Sequence, residues 1–242
     1  MRELQTETQK TRARPKRRSR FPLILLCLVF VTAVVFILTN RGLAPGRSSA
    51  SRARTTAPTP KSEAQQTIEA LDWIEVDLLP INEYSRPGDK LDGVNNLVVH
   101  YIGNPGTTAQ QNRNFFANLA VTGETSASSN FIIGIDGAII QCVPVDEIAY
   151  ASNTRNNDTL SIECCHPDES GEFTTETYDA LVRLTAQLCR EFSLSHNDLI
   201  RHYDVMGKVC PKYYVENPDA WEAFKLDVRD AIAALAADAD AA

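Results

Sequence analysis

At 242 residues, 43% hydrophobic and 23% charged, the chain has the composition of a folded protein of one or two domains. Disordered, collagen-like and disulfide-knot classes are excluded. Residues 1–60 hold 12 of the 24 Lys+Arg but only Glu3 and Glu7 among the acids, which leaves 12 basic against 29 acidic residues, a net −17, in residues 61–242.

A basic head on an acidic body could be a nucleic-acid arm, but the segment after it argues for a membrane instead. Phe21 to Thr39 is free of charge, and its 19 residues would make a helix of about 28 Å, close to the hydrocarbon thickness of a bilayer. A cleaved signal peptide would have a shorter apolar core and an A-x-A-like site directly after it. The expectation is therefore an uncleaved transmembrane anchor at 21–39 behind a basic cytoplasmic tail at 1–20. Arg2, Lys10, Arg12, Arg14, Lys16, Arg17, Arg18 and Arg20 outnumber Arg41, Arg47, Arg52 and Arg54 on the far side, which keeps the amino terminus in the cytoplasm. Residues 40–66, rich in Ser, Thr, Ala, Pro and Arg, read as a disordered tether, and 67–242 as one folded domain outside the membrane. No nucleic-acid partner is expected, and the oligomeric state is not fixed by the sequence.

Within that domain, Asn96 to Ile102 is a short apolar run ending at Gly103-Asn104-Pro105-Gly106, which predicts a buried strand with one polar interior residue, His100. Thr107 to Val121 places Phe115, Phe116, Leu119 and Ala120 at helical spacing after a Thr cap. Asn130 to Ile135 and Ala138 to Val143 flank Asp136-Gly137, a hairpin signal. Thr159 to Cys165 predicts a strand with Leu160, Ile162 and Cys164 on one face and Ser161, Glu163 and Cys165 on the other. Tyr178, Leu181, Leu184, Leu188 and Phe192 mark an amphipathic helix. A last helix should start at Pro218 behind an Asn217 cap and bury Trp221, Phe224, Val228 and Ile232. The predicted class is α/β, a central mixed sheet flanked by helices.

The four histidines are His100, His166, His196 and His202, and Cys210 follows His202 by eight residues. Two imidazoles and a thiolate suit Zn²⁺, with a fourth position left for water. Spacing alone leaves open both that site and ordinary core histidines, because H-x7-C is no zinc-finger signature.

The strings Asn82 to Gly88, VVHYIGN at 98–104, SSNFIIGIDGAIIQCVP at 128–144, EIAYASNTRNNDTLSIECCHP at 147–167 and IRHYDVMGKVCPKYY at 200–214 together resemble the zinc-dependent N-acetylmuramoyl-L-alanine amidases. That family includes phage and bacterial wall-lytic enzymes and is distantly related to the peptidoglycan-recognition proteins. The resemblance runs from about Ile81 to Phe224. It implies Zn²⁺ as cofactor, held by His100, His202 and Cys210, with Glu163 as general acid and base and Lys208 stabilising the oxyanion. It further implies peptidoglycan as substrate, cleaved at the amide between the lactyl group of N-acetylmuramic acid and L-alanine. Relatives often carry a histidine in the segments matching 128–130 and 150–153, and some a catalytic tyrosine in the former, but this chain has neither. Substrate contacts are thereby open, and Asn130, Asn153 and Tyr101 are the candidates, with Asn104 and Arg155 behind them.

His166 and His196 read as ordinary surface or loop residues. Cys142, Cys164, Cys165 and Cys189 could oxidise in an exported domain, although Cys164 and Cys189 fall on apolar faces where burial suffices. Two alternatives to the amidase stand: a recognition module that binds peptidoglycan without turnover, and a thiol hydrolase using Cys165 with His166 or His202.

Overall fold

The computed structural model describes residues 61–241; the expected tail, anchor and the tether as far as residue 60 lie outside them. Among the described residues, no helix is long and apolar enough to cross a membrane.

The folded part begins before Thr67. Ser62 accepts a hydrogen bond from the Gln65 amide and caps helix α1 (Glu63–Glu69). Gln65, expected in the tether, is buried. Its side chain pairs with Gln141 in both directions and accepts from the Val145 amide, which a mobile segment could not do. Strand β1 (Ile74–Val76) follows, then β2 (Asn96–Tyr101) and helix α2 (Ala109–Thr122). Thr108 and Gln111 form a reciprocal capping box at the start of α2. The hairpin is β3 (Phe131–Ile133) with β4 (Ile139–Gln141), paired antiparallel. Gly137 in its turn has φ 79°, and a Cβ there would sit 2.8 Å from the Glu176 carbonyl oxygen, so only glycine fits. Strand β5 (Thr159–Cys164) and helix α3 (Thr175–Glu191) come next, then β6 (Leu199–Arg201), the short helices α4 (His202–Met206) and α5 (Lys212–Glu216), and α6 (Pro218–Ala241).

The six strands lie in the order β1-β4-β3-β5-β2-β6, all neighbours parallel except the β3–β4 pair. This is the mixed sheet flanked by helices that the alternating elements predict. Strand alternation sends Leu160, Ile162 and Cys164 to a core shared with α3 and α6, and puts Cys165 in a second core with Phe116 and Leu119 of α2. β1 and β6 are three residues each, too short for periodicity to mark them as strands. Asn217 precedes Pro218 as expected, yet its side chain donates back to the Tyr213 carbonyl and closes α5 rather than capping α6.

Phe224 is the centre of an aromatic cluster, fully buried and 5.4 to 6.0 Å ring to ring from Trp221, Tyr214 and Tyr178. Phe224→Ala is expected to cost about 3–5 kcal/mol and lower the melting temperature by roughly 10 °C in a thermal scan. A shift within about 2 °C would mean that α6 contributes little to this core.

Candidate active site

Three parallel strands end side by side, and each delivers a functional residue to the same edge. The β2–β5 register pairs His100 with Glu163, and the β2–β6 register pairs Val99 with Arg201, so His202 emerges next to His100. The carboxyl ends of parallel strands are where α/β sheets bind ligands, because the chain diverges there into loops. Cys210 returns to this edge after α4, with its carbonyl accepting from the Tyr203 amide.

The three predicted ligands meet. One ligand atom each from His100, His202 and Cys210 lie within 4.8 Å of one another. The Cys210 sulfur is 3.8 Å from His100 Nδ1, and the two imidazoles cross edge to face at 4.7 Å. All three side chains are buried. Glu163 Oε1 lies 3.9 Å from His100 Nδ1 and the side chain is 17% exposed, so it borders the cluster at the edge of solvent.

Burial holds the His100 imidazole well below its ordinary pKa, with the charges of His202 and Lys208 adding to the effect. His202 is lowered too, by burial and then Lys208. Burial pushes the Cys210 thiol up to about 12 and the Glu163 carboxyl up to about 8, with Lys208 opposing both shifts. Two buried polar atoms of this site, His202 Nδ1 and Glu163 Oε2, have no hydrogen-bond partner. Orphaned buried groups cost about 1–3 kcal/mol each, and one divalent cation among these donors would relieve the lone pair on His202 and favour the thiolate. Two neutral imidazoles, one with an orphaned nitrogen, and a thiol fit Zn²⁺ by number and softness of donors.

A cleft of about 540 Å³ opens beside the cluster, lined by Glu163, Lys208, Tyr101, Asn104, Gln111 and Phe115 among others. Lys208 is exposed and shares this wall with Glu163. Helical spacing groups Phe115 with the core, but it is 46% exposed and faces the cleft while Phe116 is buried. Adjacent helical residues point about 100° apart, which was the available signal that only one of the pair could be core.

Several expected contacts fall elsewhere. Asn130 is fully buried and spent internally: its Oδ1 accepts from the Ser161 amide and hydroxyl, and its Nδ2 donates to the Pro144 carbonyl. It cannot touch a ligand. Asn153 does not line the cleft described above; its Oδ1 sits 2.8 Å from His202 Nε2. Arg155 is engaged by Asp158 and Asn96. Tyr101 does line the cleft, stacked on His166 at 5.1 Å.

His166 is not a surface residue. It is 2% exposed, with Nε2 2.6 Å from the Ile102 carbonyl oxygen and Nδ1 2.7 Å from that of Asp168, so it ties the two loops flanking β2 and β5 together. With both ring nitrogens engaged it cannot serve Cys165 as a base. The Cys165 thiol is itself buried and pushed up to about 12, mainly by burial. All five described cysteines are buried free thiols.

A family profile described as N-acetylmuramoyl-L-alanine amidase matches residues 90–213, which contain all five predicted catalytic and ligand positions. The chain belongs to the N-acetylmuramoyl-L-alanine amidase family. Its curated amidase relatives include CwlL of Bacillus licheniformis, 31% identical over 160 residues that make 61% of this chain and 44% of the relative. BlyA of Bacillus subtilis is 32% identical over 173 residues, 62% of this chain and 45% of the relative. The chain thus spans less than half the length of these two amidases. Two solved structures share the amidase-domain fold: a mutant endolysin from Bacillus subtilis, with TM-score 0.54 at 23% identity over 64% of this chain and 97% of that one, and PlyL, with TM-score 0.56 at 20% identity over 65% and 98%.

Proposed function

We propose that this protein is an N-acetylmuramoyl-L-alanine amidase, hydrolysing the amide between the lactyl group of N-acetylmuramic acid and L-alanine in peptidoglycan. The observation that carries the reading is the His100–His202–Cys210 cluster with Glu163 at its border and an open cleft alongside. A recognition module without turnover would not need that border carboxylate.

His100, His202 and Cys210 would hold Zn²⁺, which supplies water activation near neutral pH and Lewis-acid polarisation of the carbonyl. Glu163 takes the proton from the attacking water and returns it to the departing L-alanine nitrogen. Its carboxyl is raised to about 8 by burial alone, and a cation in the cluster acts in the same direction as Lys208, restoring the carboxylate needed for a base. Lys208 places its charge on the cleft wall where the scissile carbonyl oxygen becomes negative. The cleft, with Tyr101, Asn104, Gln111 and Phe115, offers both hydrogen-bonding and stacking groups to a glycopeptide.

The reading extends to location. The uncharged run from Phe21 to Thr39 and the excess of basic residues before it support a single-pass membrane anchor with the catalytic domain outside and the amino terminus in the cytoplasm. An acidic domain has no attraction to anionic wall polymers, so tethering rather than charge would keep it near its substrate.

The test is to incubate the full-length protein with bacterial peptidoglycan and identify the new chain ends. Release of L-alanine α-amino groups with no new reducing sugar ends is the expected result. Wall binding with no new amines would sink turnover and leave a binding module. Lys208→Gln is expected to lower kcat by about 10²–10³-fold at unchanged zinc content; equal kcat in the two proteins would remove Lys208 from the chemistry.

A further inference from the structure

Both imidazoles of the cluster are held from behind by one short turn. His100 Nε2 lies 3.3 Å from the Ser152 hydroxyl, and His202 Nε2 lies 2.8 Å from the side-chain oxygen of the next residue, Asn153. The other nitrogen of each ring is left for the cluster: His100 Nδ1 lies 3.8 Å from the Cys210 sulfur, and His202 Nδ1 is buried with no partner. An amide oxygen only accepts, so the Asn153 contact puts the His202 proton on Nε2 and leaves the Nδ1 lone pair bare. Turning the Asn153 amide over would instead put that proton on Nδ1, buried with nothing to receive it.

The turn is built to stay where it is. The Asn156 side-chain oxygen accepts from the amides of Ala151, at 3.2 Å, and Ser152, at 2.6 Å. Arg155 anchors the far side to Asp158 and to Asn96 at the start of β2. Ser152 is 1% exposed, and Asn153 adopts φ 51°, a left-handed conformation that asparagine tolerates better than most residues.

We infer that Ser152 and Asn153 are positioning residues: Asn153 fixes the tautomer of His202, and the two together aim both metal-binding imidazoles so that their Nδ1 atoms are presented to the same cation. The inference rests on the metal reading of the cluster and adds to it the residues that orient the ligands. Groups that hydrogen-bond a ligating histidine typically change metal affinity by about 10–100-fold when removed. Asn153 makes the shorter contact and should carry the larger share.

The test is the zinc affinity of the full-length protein, measured by competition with a chromophoric chelator, for the wild type, Asn153→Gly and Asn153→Asp. Glycine keeps the left-handed backbone and removes only the acceptor; aspartate keeps an acceptor for Nε2–H. The expected result is a loss of about 10–100-fold in Asn153→Gly, recovered in Asn153→Asp, with the metal-free melting temperatures of the three proteins alike. Unchanged affinity in Asn153→Gly, or a loss that aspartate does not recover, overturns the positioning role. A wild type that binds no zinc overturns the metal reading and this inference with it, whereas a wild type that binds zinc no better than Asn153→Gly overturns the inference alone.

Discussion

Glu163→Gln is expected to slow amide hydrolysis by roughly 10²–10⁴-fold while making the metal-stripped protein more stable. The two effects share one cause. Burial raises the Glu163 carboxyl from 4.5 to about 8, so between those values the native state binds a proton that the unfolded chain does not. Stability of the metal-free protein therefore falls as pH rises from about 5 to 8, and glutamine, which never ionises, escapes that loss. The expected gain at pH 8 is on the order of 2–5 kcal/mol, or roughly 5–15 °C in melting temperature, shrinking toward nothing near pH 5. Comparing the two proteins at both pH values separates Glu163 from His100, His202, Cys210 and Lys208, which surround it in both. A variant no more stable than wild type at pH 8 would contradict the strained carboxylate, and one retaining full activity would remove Glu163 from catalysis.

Removal of divalent metal is expected to abolish turnover and to lower the melting temperature by roughly 8–16 °C. Ligand present at about a thousand times its dissociation constant stabilises a native state by about 4 kcal/mol, and a domain of this size shifts by about 2–4 °C per kcal/mol. Readdition of Zn²⁺ should restore both. The same experiment disposes of the thiol-hydrolase alternative, which predicts activity that survives chelation and dies on alkylation. Burial holds the Cys165 and Cys189 thiols up to about 12, so brief alkylation of the zinc-loaded protein is expected to leave the rate unchanged. Activity that persists in excess chelator would overturn the metal reading.

Much of this was legible in the residues because the site sits on one strand that is a continuous apolar run and another that alternates. Asn96 to Ile102 and Thr159 to Cys165 announce themselves as buried strands, so a histidine and a glutamate inside them stand out as exceptions. That the two are neighbours is a matter of register, which no local pattern encodes. Resemblance rather than periodicity grouped His202 and Cys210 with His100, and the structure brings the three together. The roles of Asn130 and His166 turn on contacts distant in sequence: Asn130, a groove candidate, is spent on the Ser161 amide 31 residues on, and His166 is buried against the Ile102 carbonyl 64 residues back, which no local string encodes. Phe115 failed in the opposite sense, an apolar residue left at the rim of a cleft. The start of α1 at Glu63 was hidden because Ser62 and Gln65 are as polar as a tether, and only the pairing of Gln65 with Gln141 distinguishes them.

The cluster draws its donors from positions 100, 202 and 210, the first on an interior strand whose two neighbours, β5 and β6, are later in the chain. No stretch shorter than about half the protein contains them all. A chain emerging from the ribosome in order therefore has no complete donor set until Cys210 has appeared and β6 has docked beside β2. The proposed chemistry is therefore withheld from any chain that ends before Cys210, by topology alone. For a protein whose proposed substrate is the structural wall of a cell, that timing is a safeguard inherent in the order of its strands.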